Sequence, residues 1–290
     1  MEIQWPLIVF TLFTCLAAGT FAIQGVLALL GKGARVQLPA LIVSFVSLVV
    51  AGVASFTHLQ HWERAFNGFG HITSGITQEL IGIVVMVVAI VVYFVVSRKG
   101  EVPKWAGAVA VIVGIGMVIV MTTSYMMPAR PVWSTPALYL YYFSQALLLG
   151  GVAVWTLASV QKDEDVTALG ARVTALGGIV VIVALAVYAG VISSVQLSEV
   201  GNYFDPTHPT KEMANTSDLL GELISGGAAA YFWVALIAGG VVSALLGILK
   251  WREAEGSLAF AAVALICALA GGLAFRAALY VLGASVFVFY

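Results

Sequence analysis

Five side chains that can move a proton or hold a developing charge lie inside or at the ends of long apolar runs. They are His58, Glu79, Tyr125, Arg276 and Tyr280. Ionisable groups are costly in a bilayer, so those present are functional candidates by default. Glu79 stands about one turn into an apolar run that opens near Gly75. An acid there gains from the helix dipole, but Ser74 or Thr77 offers a cheaper cap. Arg276 lies deeper, about two turns from the end of the last apolar run. Ala268, Gly272, Arg276 and Tyr280 recur every fourth residue, so they share one helix face. Small residues allow close helix approach, and this face is expected to point into protein. Two roles for Arg276 stay open and compatible: facing a ligand, or a structural role bonded to loop carbonyls or to Glu79. His58 ends the second run, on a face marked by Ser44, Ser47, Ala51 and Ser55. A lone His at a helix end is ordinarily interfacial. Here a base, an acid, a cation and two phenols belong to the same half of the molecule, and convergent polar groups in an apolar pocket describe a small-molecule site.

The elements that must position them are membrane helices. Of 290 residues, 61% are hydrophobic and only 9% are charged. A bilayer-spanning helix needs about 20 apolar residues. Eight stretches qualify: 5–30, 38–57, 75–97, 105–125, 137–160, 173–195, 228–249 and 257–283. They are too long and continuous for barrel strands. The expectation is an all-α polytopic protein, one integral membrane domain over 1–290, with the polar stretch 196–228 a loop at most. The opening Met1-Glu2-Ile3-Gln4 lacks the basic region of a signal peptide; Trp5 and Pro6 read as an interface anchor and a first-turn proline. A net charge of −1 gives no electrostatic case for nucleic acid. Two cysteines, Cys15 and Cys267, are too few to ligate an iron–sulfur cluster and read as packing residues.

The cations suggest an orientation. Lys32, Arg35, Arg98, Lys99, Lys104, Lys162, Arg172, Lys250 and Arg252 fall on one side; Arg64, Arg130 and Lys211 fall on the other. The positive-inside rule then puts both termini outside the cytoplasm. All four histidines (His58, His61, His71, His208) sit with the sparser cations, so the outer surface is read as the working one.

These residues, in this order, resemble the membrane anchor subunit of dimethyl sulfoxide reductase, within the quinol-interacting polytopic subunits of molybdoenzymes. The resemblance rests on Trp5-Pro6-Leu7, His58-Leu59 followed by Arg64-Ala65-Phe66-Asn67, Glu79, Tyr125, Trp133 with Pro136, and Arg276 with Tyr280. Gln60-His61-Trp62-Glu63 stands where the family usually has a Gly and a Pro. The resemblance implies a menaquinol-oxidising subunit near the outer face of a bacterial or archaeal cytoplasmic membrane. It maps the family's essential histidine onto His58 and its quinol-site glutamate onto Glu79. Arg64, Tyr125, Arg276 and Tyr280 complete the expected quinol-binding set. Menaquinol is then the bound substrate, with no haem, metal or cluster in this chain. Electrons pass to an iron–sulfur subunit and on to a molybdenum-cofactor catalytic subunit in anaerobic electron transport, so the chain is not catalytically complete alone. In such a site His58 would accept one proton, Glu79 would relay the second, and Arg276 or Tyr280 would stabilise charge on the oxygen. Arg130, Pro131, Trp133 and the stretch 202–215 are the expected dock for the partner.

Three rivals predict other things. A haem b protein wants histidines facing each other well inside helices, whereas all four here lie at ends or in loops. A secondary transporter predicts midplane polar sites and an internal repeat; no repeat is evident. A purely structural anchor predicts that His58 and Glu79 tolerate substitution.

Overall fold

A computed structural model describes residues 2–58, 67, 69–195, 219–252 and 256–283. It is 83% helical; among the described residues there is no strand, and eight helices are long and apolar enough to cross a membrane. In chain order they are α1 (Trp5–Leu29), α2 (Ala34–His58), α3 (Gly75–Ser97), α4 (Lys104–Tyr125), α5 (Ala137–Gln161), α6 (Glu164–Ile192), α8 (Ala229–Leu249) and α9 (Ser257–Leu282). A short helix, α7 (Leu219–Ile224), precedes α8. Part of the stretch read as loop is therefore helical.

Two boundaries differ from the sequence reading for stated causes. α2 starts four residues early and carries Pro39 inside it; Pro39 is its sixth residue, so it forgoes one intrahelical bond, to the Arg35 carbonyl, a loss that membrane helices tolerate. α6 starts nine residues early. Asp163 caps it, its side chain accepting from the Val166 N–H at 3.2 Å, and Glu164 with Asp165 fill the acidic first turn. Arg172 thus lies within α6 and donates to the Trp251 carbonyl at 3.2 Å. α8 is locally unwound into a π-helix over Ala235–Val242, the kind of bulge that often marks a packing or functional irregularity.

α1 and α5 are the central posts. In each, 67% of the most apolar stretch is buried, against 22% in α3, which presents most of its surface to lipid. Because lipid is as apolar as leucine, contact in a membrane comes from close packing rather than from the hydrophobic effect. Gly19 of α1 shows how this is achieved. A Cβ there would fall on the Ala146 carbonyl of α5, so only glycine lets these two helices meet. At the end of the bundle near Lys32, Tyr93 of α3 donates to Gln37 Oε1 at 2.7 Å, and Gln24 of α1 donates to the Gln37 carbonyl at 2.8 Å. This lock ties α3 and α1 to α2. At the opposite end, called the His58 end below, Tyr188 of α6 donates to the Val132 carbonyl at 3.0 Å and Trp133 to that of Leu279 at 2.8 Å. The connection between α4 and α5 is thereby drawn down over the helix ends.

Candidate functional site

The His58 end gathers the start of α1, the end of α4, the start of α5 and the end of α9. Arg276 sits at their junction and is 1% exposed. Its face was correctly read from the four-residue spacing: Ala268, Gly272, Arg276 and Tyr280 are all buried. The guanidinium donates to Thr11 Oγ1 at 2.9 Å, to the Gly272 carbonyl at 2.9 Å and to the Thr11 carbonyl at 3.3 Å. Longer contacts reach Cys15 Sγ at 3.2 Å and Tyr141 OH at 3.4 Å. It also lies 5.2 Å from the ring of Tyr142 and 5.7 Å from that of Tyr141, within cation–π range. Every one of these partners is neutral. The alternative of a bond to Glu79 is not what the chain adopts.

Glu79 is half-buried in α3, and its carboxylate meets the Ser124 hydroxyl of α4. Ser124 Oγ is also 2.8 Å from the Met121 carbonyl. A hydroxyl has one proton to give. An ionised Glu79 accepts that proton; a protonated Glu79 donates to Ser124, which then donates to Met121. The pair therefore holds the acid in either state. Ser74 makes no side-chain cap on α3. Among the described residues no cation pairs with Glu79.

Tyr125, Tyr280, Tyr142, Thr11 and Arg276 line a cavity of about 10 Å³, close to the least that holds one water. Tyr280 is 4% exposed and its hydroxyl has no hydrogen-bond partner. A buried, unpaired hydroxyl costs about 1–3 kcal/mol, so a water or a substrate oxygen in this cavity would relieve it. Trp133 roofs the space. Its ring centroid is 5.0 Å from that of Tyr280 and 6.1 Å from that of Tyr125, with the Arg130 guanidinium 4.5 Å above it. Trp133 is 4% exposed, which corrects its reading as a docking residue: it closes the site instead.

Of the expected set, Tyr125, Arg276 and Tyr280 converge on the cavity; Glu79 does not line it and stands beside it through Ser124, the residue before Tyr125. His58 shares this end but is exposed on the last turn of α2, and no described contact joins it to the cavity. Ser44, Ser47 and Ala51 of its face are buried, so the face is inward along its length and emerges only at its end. Arg64, His61 and the dock segment 202–215 lie outside the described residues. Among the described residues no three His, Cys, Asp or Glu gather as a metal site would require. Thr11, Ser124, Tyr141 and Tyr142 were not singled out in the sequence. The signal available was the run Tyr139-Leu140-Tyr141-Tyr142, phenols at the same depth as Arg276. Cys15, read as packing, also takes a guanidinium hydrogen bond.

A family model described as DMSO reductase anchor subunit (DmsC) matches residues 1–283. No curated protein matches the chain.

Proposed function

The chain belongs to the DMSO reductase anchor subunit family, and from that premise we propose that it oxidises menaquinol for the complex it anchors. It is a multi-pass membrane protein, and an anchor subunit of such a complex has catalytic and electron-transfer partners. The finer assignment is ours: an iron–sulfur subunit takes the electrons and a molybdenum-cofactor subunit uses them.

The observation that carries the reading is an acid, two phenols and a buried cation brought to one end of a membrane bundle, with the acid unpaired by any described cation. Menaquinol becomes menaquinone by losing two electrons and two protons. The electrons need only a nearby cluster in the partner; the protons need acceptors here. Arg276 and Tyr280 hold one quinol oxygen and stabilise negative charge as its proton leaves. Glu79 takes the two protons in turn beside Tyr125, handing the first on towards water before the second leaves, with Ser124 supporting both of its states. His58, exposed at the same end, passes protons to water rather than holding the ring. The water-sized cavity must widen for the ring to enter. In the sequence nine loop cations fall to the opposite side and three to this one, Arg276 within α9 being the thirteenth; this supports an outward-facing His58 end in a bacterial or archaeal cytoplasmic membrane, with protons released outside.

A purely structural anchor is the competing reading. It is favoured by the hydrogen bonds that already occupy Arg276 and by the small cavity. In membranes holding the assembled complex, menaquinol reduces the iron–sulfur partner, read by electron paramagnetic resonance. His58→Ala is expected to slow that reduction about tenfold, less than a general acid–base group usually contributes because water reaches an exposed position. Unchanged rates in His58→Ala and in Glu79→Gln alike would leave only the structural anchor.

A further inference from the structure

We propose that the seam between α4 and α5 is the lateral entrance for the quinol and that its isoprenoid tail lies in the groove below it. This deepens the quinol-oxidising reading and rests on it. An apolar groove of about 220 Å³ runs between α1, α4 and α5, larger than the roughly 150 Å³ that admits a benzene-sized molecule. Its floor is α1, where Gly19 packs on Ala146 of α5 and Gly114 of α4 packs on Ala18 and Ala22.

The groove and the polar cavity lie one above the other on the same faces of α1, α4 and α5, with the buried Met121 of α4 between them. On α4, Val111, Gly114 and Val118 line the groove, and Tyr125 lines the cavity. On α1, Ala18 and Ala22 continue the face of Leu7 and Thr11; on α5, Ala146 continues that of Leu138 and Tyr142. These steps of three, four or seven keep each helix's contributors on one face. From Tyr125 to Val111 is about 21 Å along α4 at 1.5 Å per residue, a span that several isoprene units would cover once Met121 gives way. The lining is apolar throughout the groove and turns phenolic and cationic only at the His58 end. An amphiphile with a polar ring and a long, apolar, methyl-branched isoprenoid tail matches that order.

The seam is also clasped. Thr123 Oγ1 and Tyr139 OH are 2.8 Å apart on its lipid side, both at least partly exposed. This is the one hydrogen bond between side chains of α4 and α5 among the described residues that spans the seam above the groove. It can break without burying an unpaired group, because both hydroxyls reach the interface. The clasp therefore closes the way from lipid to cavity reversibly.

The test uses the assembled complex in membranes and two substrates: menaquinol with its full tail, and menadiol, which has the ring and no tail. Ala22→Phe fills the floor of the groove, and Leu147→Phe fills its rim. KM for menaquinol is expected to rise about fivefold to tenfold in each variant, a discrimination of the size hydrophobic pockets give. KM for menadiol is expected to stay within twofold of wild type. Equal KM values for both substrates in both variants would overturn the proposal and leave the groove to lipid acyl chains. A parallel rise for both substrates would also overturn it, because the change would then act on the ring. Wild-type complex that oxidises neither quinol would instead remove the function on which the proposal rests, so the two failures are distinct.

Discussion

Glu79→Gln leaves the complex assembled and lowers menaquinol-dependent reduction of the iron–sulfur partner by about a hundredfold, within the range for loss of a general base. The substitution keeps the volume and the shape of the side chain. A glutamine oxygen still accepts from Ser124, and Ser124 keeps its 2.8 Å approach to the Met121 carbonyl. Packing between α3 and α4 is therefore preserved. What is lost is an atom that can take up a proton, in a helix where no described cation or second acid can substitute. Turnover by single-mixing kinetics checks this, with immunodetection of the partner subunits to confirm assembly. A rate within twofold of wild type would remove Glu79 from the chemistry.

Arg276→Met separates function from structure at the second central residue. It is expected to assemble at near wild-type level while menaquinol turnover falls about a hundredfold, the loss typical of one preorganised charge-stabilising donor. Methionine fills much of the same space and removes the cost of burying a charge that has no counter-ion, which offsets the hydrogen bonds lost. The acceptors left behind are modest. Thr11 keeps its own donation to the carbonyls of Leu7 and Ile8 at 3.1 and 3.2 Å. Tyr141 loses a contact of 3.4 Å, and a thiol such as Cys15 behaves as a small hydrophobe. A purely structural Arg276 predicts the opposite pattern: turnover per assembled complex unchanged.

Much of the fold was legible because membrane helices announce themselves through length and apolarity alone. The boundaries of α3 were read without error, since Gly75 and Ser97 bracket an uninterrupted run. α6 was misjudged because its first turns are polar: Asp163, Glu164 and Asp165 look like a loop to a hydropathy reading, although together they start a helix. The π-helical stretch of α8 has no sequence signal, since Ala235–Val242 is apolar whichever hydrogen-bond pattern it adopts. The site was legible in part for a related reason. Arg276 and Tyr280 stood out because charge is rare in a bilayer and their spacing puts them on one face. Ser124 and Thr11 did not, because hydroxyls are common in membrane helices and their meaning depends on which neighbour they face. Trp133 was read with Arg130 and Pro131 as part of a dock on the outer loops; only its burial and its hydrogen bond to the Leu279 carbonyl reveal that it turns inward.

The most direct test of a quinol site at this end of the bundle is a binding titration. A fluorescent quinol-site inhibitor is added to membranes carrying the wild-type complex, Glu79→Gln or Arg276→Met, and its quenching is followed. Saturable quenching in the wild type that is weakened at least about tenfold in both variants, with the complexes intact, is the predicted result. The same Kd in all three would contradict the site and leave the protein an anchor without quinol chemistry in this place.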